Sequence, residues 1–319
     1  MIIQLIILFL GLALLIKGAD WLVNGASGLA KKYNVSDLAI GLTVVAFGTS
    51  APELVVNSFA AYQGHQDIVF GNIIGSNIFN IFVILGVTGV IAPLVVHSST
   101  VWKEIPFSLI AIILFYLMAN DLFYAETHIM SRFDGIILVI IFLFFLFYEY
   151  KNLKTDTLEL DVHYKPLSNP KIWGLIIVGL AGLVAGGKLV LDNAVQIATT
   201  LGVSEKVIGL TIVAAGTSLP ELATSVVAVL KKNSDIAVGN IIGSNIFNIF
   251  FILGVSSLIR PLEFNPVFNF DLYFLTFGTL IIFLAMFTGK KKKLDRWEAA
   301  ILLLLYIGYT FYLISKEIN

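Results

Sequence analysis

The chain repeats itself. The stretch GLTVVAFGTSAPELVVNSFAA (Gly41–Ala61) returns as GLTIVAAGTSLPELATSVVAV (Gly209–Val229), and GNIIGSNIFNIFVILGV (Gly71–Val87) returns as GNIIGSNIFNIFFILGV (Gly239–Val255). The offset is 168 residues, held without a gap from Val35 (Val203) to Val87 (Val255), and the run GNIIGSNIFNIF is identical in both copies. Each copy carries one glutamate, Glu53 or Glu221, inside an apolar segment. An ionisable residue at membrane depth is costly, so it marks a functional position by default.

Composition says where those segments sit. The chain is 58% hydrophobic and 13% charged, against about 45–50% and about 25% in soluble domains. It reads as an all-α, polytopic membrane protein. Apolar runs long enough to span a bilayer fall near 2–23, 38–61, 68–91, 103–120, 134–150, 171–192, 206–229, 237–258, 269–288 and 297–315. Ten transmembrane helices divide into two five-helix repeats, 1–150 and 171–319, joined by a polar linker, 151–170. Five is odd, so the second repeat enters from the opposite side and the copies are inverted, as in many secondary transporters. The first run is too long for a signal core and lacks a basic leader and an A-x-A site, so it reads as a retained span.

Loop charge sets the orientation. Fourteen of the 20 Lys and Arg residues fall on one side, including Lys31, Lys103, Lys151, Lys231 and the run Lys290–Lys293. Arg132, Lys206, Arg260 and Lys316 fall on the other, and Lys17 and Lys188 lie within spans. This bias places both termini outside a cell (inner) membrane and the linker in the cytoplasm. Lys17 with Asp20, and Lys188 with Asp192, are spaced to pair along their own helices or to snorkel to the membrane edge.

Several function classes drop out. A net charge of −1 leaves no nucleic-acid footprint. The absence of cysteine excludes disulfides and thiolate metal sites. No G-x-x-x-x-G-K-[ST] loop occurs, which argues against an ATP-driven pump. His65, His97, His128 and His163 have no metal-binding spacing. The chain reads as a non-enzyme with no cofactor.

The motif GTSxPE has its own chemistry. Pro52 and Pro220 lack an N–H and clash with the carbonyl four residues back, so they loosen the helix at Gly48 and Gly216, where glycine lets the backbone open further. Such backbone is tolerated at membrane depth only inside protein or facing a wet cavity. Thr49, Ser50 and Glu53, with Thr217, Ser218 and Glu221, cluster around each break. Carboxylate, hydroxyl and carbonyl oxygens suit Ca²⁺ or another hard cation. In the neighbouring segment Asn72, Ser76 and Asn80, repeated as Asn240, Ser244 and Asn248, form an i, i+4, i+8 stripe of neutral ligands.

Charge counting extends the reading. Two ionised glutamates carry −2, which one Ca²⁺ neutralises. Without a cation, two like charges would face each other in low dielectric. A loaded carrier can therefore move and an empty one cannot, which is obligatory exchange. Three Na⁺ on the same acids would leave +1, a step that membrane potential would assist.

With these residues the chain resembles the cation/Ca²⁺ exchanger superfamily, specifically the prokaryotic sodium/calcium exchangers, whose two repeats carry G-T-S-x-P-E followed by G-[SN]-x-x-[ND]. The resemblance implies Na⁺/Ca²⁺ antiport by alternating access, with ion sites formed by spans two, three, seven and eight. It implies Ca²⁺ ligands at Glu53, Glu221 and the carbonyls of Thr49 and Thr217. It implies Na⁺ sites that add Ser50, Ser218, Ser76, Ser244 and the carbonyls of Ala46 and Ala214, with Asn80 and Asn248 flanking the centre. It further implies that spans one and six slide across the rest. Relatives often have Asp where this chain has Asn248, and the K⁺-dependent branch has Asp there, so asparagine at both equivalents weakens the case for K⁺ co-transport. H⁺/Ca²⁺ exchange, in which the glutamates trade one Ca²⁺ for two protons, stays open as an alternative. An oxygen-lined channel is the reading from a different class. One chain holds both halves of the site, so the expected partners are Ca²⁺, Na⁺ and the bilayer, with a functional monomer.

Overall fold

A computed structural model describes residues 2–96, 100–120, 128–152, 167–202, 214–288 and 292–318. The described residues are helical almost throughout. Helix α1 spans Ile2–Tyr33, α2 Asp37–Thr49, α3 Ala51–Gln63, α4 Gln66–Ile91, α5 Thr100–Ala119 and α6 Arg132–Asn152. In the second half, α7 spans Asn169–Thr200, α8 Ala214–Thr217, α9 Leu219–Leu230, α10 Ser234–Ile259, α11 Asn269–Ala285 and α12 Arg296–Ile318.

Among the described residues, seven helices are long and apolar enough to cross a membrane: α1, α4, α5, α6, α7, α10 and the one ending in α11. The pair α2 and α3, bent by 47° at Ser50, makes an eighth. The expected span 206–229 is described only from Ala214 onward, and most of the linker 151–170 lies outside the described residues. Helices α1 and α7 run well past the apolar stretches that announced them. At 32 residues each they reach about 48 Å, against a hydrocarbon core of about 30 Å. Hydropathy locates only the part of a helix that lipid surrounds.

Helices α4 and α10, which carry the identical motif, are the most enclosed, with Phe70, Phe82 and Phe250 fully buried around them. Phe82 of α4 stacks on Phe274 of α11 at 4.3 Å between ring centres, and Phe274 stacks in turn on Tyr309 of α12 at 4.4 Å. Both α4 and α10 widen into π-helical turns, at Phe79–Ile84 and Phe247–Leu253. Such turns recur at functional sites, and here they hold Asn80 and Asn248.

Helices α1 and α7 lie across this core and run antiparallel to each other. Gly11 faces Leu189 and Val190, Gly18 faces Gly179–Leu183, and Gly25 faces Ile172 and Ile176. A Cβ on Gly18 would sit 2.7 Å from the Leu183 backbone nitrogen, so only glycine permits this approach. Small residues at a helix seam are the membrane solution to close packing, because lipid leaves no hydrophobic force to hold helices together.

Among the described residues, two short antiparallel bridges tie the halves together. Strand β1 (Leu94–Val95) pairs with β4 (Lys293–Leu294), and β2 (Ile129–Met130) pairs with β3 (Leu262–Glu263). Asp20 does not pair along its own helix as its spacing with Lys17 suggested. It accepts from Lys231 at 2.6 Å, and Lys231 also donates to Asn24 at 2.7 Å. A lysine arriving from the second half reaches the carboxylate, and sequence spacing carries no record of that approach.

Candidate cation-binding site

Each GTSxPE motif folds as a helix end followed at once by a helix start. Helix α2 stops at Thr49, Ser50 takes φ −85° and ψ 5°, and α3 begins at Ala51 with Pro52 in its first turn. The second copy repeats this: α8 ends at Thr217, Ser218 takes φ −89° and ψ 9°, and α9 begins at Leu219. Glu53 and Glu221 therefore occupy the first turns of α3 and α9, where the helix dipole favours negative charge. The two glycines serve packing at least as much as backbone opening. Leu180 presses on Gly48 and Leu191 on Gly216, and a Cβ would come within 2.5 Å and 2.4 Å of the leucine methyls. Both leucines belong to α7, so the glycines admit that helix against the two breaks.

The spacing Ser50-x-x-Glu53, repeated as Ser218-x-x-Glu221, matches a capping box. Neither serine caps its own helix. Ser50 instead donates to Glu221 Oε1 at 2.9 Å and lies 3.0 Å from Ser244 Oγ. The side chain that would close a local ring reaches across to the other half of the chain.

A second set of contacts crosses the same interface. The Thr49 hydroxyl donates to Asn240 Oδ1 at 3.0 Å, and at the equivalent pair the direction is reversed, with Asn72 Nδ2 donating to Thr217 Oγ1 at 3.4 Å. Asn80 donates to Asn245 Oδ1 at 2.9 Å. Glu53, Glu221, Thr49, Ser50, Ser218, Ser76, Ser244, Asn80 and Asn248 are all at most 3% exposed. Glu53 and Glu221 lie close enough to repel each other.

The unsatisfied atoms here are mostly oxygens. Both carboxylate oxygens of Glu53, Oε2 of Glu221, Oγ of Ser76 and Ser218, and Oδ1 of Asn80 and Asn248 have no hydrogen-bond partner in the protein. Buried polar atoms are nearly always paired, so a cluster of orphans calls for an explanation. A hard cation satisfies carboxylate, amide and hydroxyl oxygens together. The set holds only two acids, and no group of three or more His, Cys, Asp or Glu positioned for a metal occurs among the described residues. A cation held here would draw the rest of its coordination from the neutral oxygens.

Of the expected carbonyl ligands, Ala46 O already accepts from the Ser50 amide at 3.0 Å and lies 3.4 Å from the Thr49 hydroxyl. Ala214 stands at the start of α8. Sequence reasoning passed over Asn57 and its repeat counterpart Ser225. Asn57 donates to Asn72 Oδ1 at 2.9 Å, and Asn240 donates to Ser225 Oγ at 3.0 Å. These residues orient the asparagines that cross the interface. Their differing identities in the two copies hid them, although the constant offset pairs them. Asn77 and Asn245, also buried, went unremarked inside the identical run.

The sodium/calcium exchanger protein family model matches residues 3–151 and 171–315. A putative antiporter, CaxA, of Alkalimonas amylolytica is 39% identical, covering 99% of this chain and 100% of its own length. The sodium/calcium exchanger MaX1 of Methanosarcina acetivorans is 33% identical over 96% of this chain and 97% of its own length. The solved structure of the sodium-calcium exchanger NCX_Mj without Na⁺ and Ca²⁺ superposes with a TM-score of 0.82 at 35% identity, covering 98% of this chain and 99% of that one. The duplicated glutamate motif, the helical fold and these relatives agree: the chain belongs to the sodium/calcium exchanger family.

Proposed function

We propose that this protein is a secondary-active antiporter of the cell (inner) membrane, exchanging Na⁺ for Ca²⁺ by alternating access through a site centred on Glu53 and Glu221. The observation that carries the reading is the pair of buried carboxylates, one from each half, set among oxygens that lack protein partners. One Ca²⁺ neutralises the pair. Without a cation the two charges repel in a medium of low dielectric, so the empty carrier resists the transition and exchange becomes obligatory.

In this reading Ca²⁺ is held by Glu53, Glu221 and the carbonyls of Thr49 and Thr217. Na⁺ ions use the same acids with Ser50, Ser218, Ser76, Ser244 and the carbonyls of Ala46 and Ala214, while Asn80 and Asn248 flank the centre. The ten-helix architecture in two inverted repeats, 1–150 and 171–319, draws support from α1 and α7. They are the first helices of the two halves, and they run antiparallel. Both termini lie outside and the linker 151–170 lies in the cytoplasm, following the lysine bias. The monomer is the functional unit, because one chain supplies both glutamates.

The test is Ca²⁺ flux in proteoliposomes under separately imposed Na⁺, K⁺ and H⁺ gradients. Ca²⁺ uptake driven by an outward Na⁺ gradient is expected. Uptake that ignores Na⁺ and follows the pH gradient would replace this reading with H⁺/Ca²⁺ exchange. Currents that persist without a counter-ion on the far side would replace it with a channel.

A further inference from the structure

One asparagine and one threonine join the two halves at each of two equivalent places, yet the hydrogen bonds run in opposite directions. Thr49 donates to Asn240 Oδ1, whereas Asn72 donates through Nδ2 to Thr217. Asparagine and threonine stand at these positions in both repeats. The residue behind each asparagine differs: Asn57 in the first half and Ser225 in the second, both fully buried.

Backbone carbonyls fix the directions, because a carbonyl only accepts. Asn57 gives Nδ2 to the Glu53 carbonyl, one turn back on α3, at 2.7 Å, and the same nitrogen donates to Asn72 Oδ1 at 2.9 Å. With its oxygen taken, Asn72 turns its amide nitrogen toward Thr217. In the second half Asn240 itself reaches the equivalent carbonyl. Its Nδ2 donates to Glu221 O at 3.4 Å and to Ser225 Oγ at 3.0 Å. With its nitrogen taken, Asn240 turns its oxygen toward Thr49.

We propose that Asn57 and Ser225 are positioning residues that turn these two amides in opposite senses and so make the Na⁺ ligands of the two halves unequal. The inference rests on the Na⁺/Ca²⁺ reading above. A threonine hydroxyl has one proton to give. Thr49 Oγ1 lies 3.1 Å from Val45 O and 3.4 Å from Ala46 O, besides the 3.0 Å to Asn240. A proton directed to Asn240 leaves both carbonyls free of it, and Ala46 O is a Na⁺ ligand in that reading. Thr217 receives its hydrogen bond from Asn72 and keeps its own proton for the backbone behind it, where Ala214 O is the equivalent ligand. A carbonyl that holds a hydroxyl proton offers less to a cation, so the first half presents the stronger Na⁺ ligand. Ca²⁺ draws on the glutamates and the threonine carbonyls and feels the difference less.

The experiment measures Ca²⁺ flux in proteoliposomes of the full-length protein against Na⁺ and against Ca²⁺ concentration, giving a KM for each ion and a maximal rate. Asn57→Ser recreates in the first half the arrangement at Ser225. Asn72 then turns its oxygen to Thr217, Ala214 O is released, and the Na⁺ KM is expected to fall. Ser225→Asn does the reverse: Asn240 turns its nitrogen to Thr49, whose proton returns to its own helix, and the Na⁺ KM is expected to rise. Each change is about threefold to tenfold, the size of one hydrogen bond, with a smaller change in the Ca²⁺ KM. Opposite signs separate positioning from damage, since a site that is merely loosened binds Na⁺ more weakly in both variants. Asn57→Ser alone decides the matter if Ser225→Asn does not fold, because damage cannot lower the Na⁺ KM. A Na⁺ KM that is unchanged or raised in Asn57→Ser, or a Ca²⁺ KM that moves as far as the Na⁺ KM, overturns the proposal and leaves Na⁺/Ca²⁺ exchange standing. Flux in the unaltered protein that ignores Na⁺ overturns both.

Discussion

Ser50 donates its hydroxyl to Glu221 at 2.9 Å, while Ser218, its counterpart one repeat later, has no partner and Glu53 has neither carboxylate oxygen engaged. Serine and glutamate stand at both places, so these residue types alone do not make the inequality. In the proposed carrier, like half-sites held differently are expected of either end state, and a cation shifts the balance by binding one arrangement better than the other. In the present arrangement the Glu221 half is tied by protein hydrogen bonds and the Glu53 half presents free oxygens.

In the proposed site each glutamate supplies half of the charge that offsets Ca²⁺. Glu53→Gln and Glu221→Gln are each expected to weaken Ca²⁺ binding by a hundredfold or more, since breaking a buried charge pairing costs about 3–5 kcal/mol. Isothermal titration and flux assays read this directly. Exchange like that of the unaltered protein in either variant would contradict the site.

The inequality of the serines is testable on its own. Ser50→Ala removes a hydrogen bond to a buried carboxylate and should lower thermal stability by about 1–3 kcal/mol. Ser218→Ala removes a hydroxyl with no partner and should cost clearly less. Equal losses in ion-free buffer would mean that the two halves are not held differently.

Asn248 is 2% exposed, with Oδ1 unpartnered, and the proposed function sets it beside the centre. Asn248→Asp adds a third acid there and should change ion selectivity or the pH dependence of transport. Transport measured across a pH series under Na⁺ and K⁺ gradients checks it, and an unchanged profile would reduce the residue to packing.

At Gly18 the seam between α1 and α7 leaves no room for a side chain. Gly18→Ala places a methyl 2.7 Å from a backbone nitrogen, and overpacking of this kind costs about 1–3 kcal/mol. Thermal unfolding should report that loss, together with a lower exchange rate. A variant with unchanged stability would mean that the helices part more easily than their packing implies.

Lys231 holds Asp20 and Asn24 of α1 from the second half. The pair is partly exposed, so Lys231→Ala should cost no more than about 1 kcal/mol of stability. The same change removes a tie on a peripheral helix and should alter the exchange rate more than ion affinity. Stopped-flow Ca²⁺ flux beside equilibrium binding separates the two, and a change confined to affinity would refute the role.

Much of this molecule was legible before any coordinates. The repeat, the membrane class, the helix breaks beside Pro52 and Pro220 and the two glutamates that follow them are read from local chemistry: apolar length, a missing N–H, and acids where lipid should be. Tertiary structure alone decided which atoms meet. It sent Ser50 to Glu221 instead of to its own helix end, gave Asp20 a lysine from the other half, and set Asn57 and Ser225 behind the crossing asparagines. Local rules act over a turn or two of helix, whereas these contacts depend on how two halves of one chain dock, and that is a property of packing that no short spacing encodes.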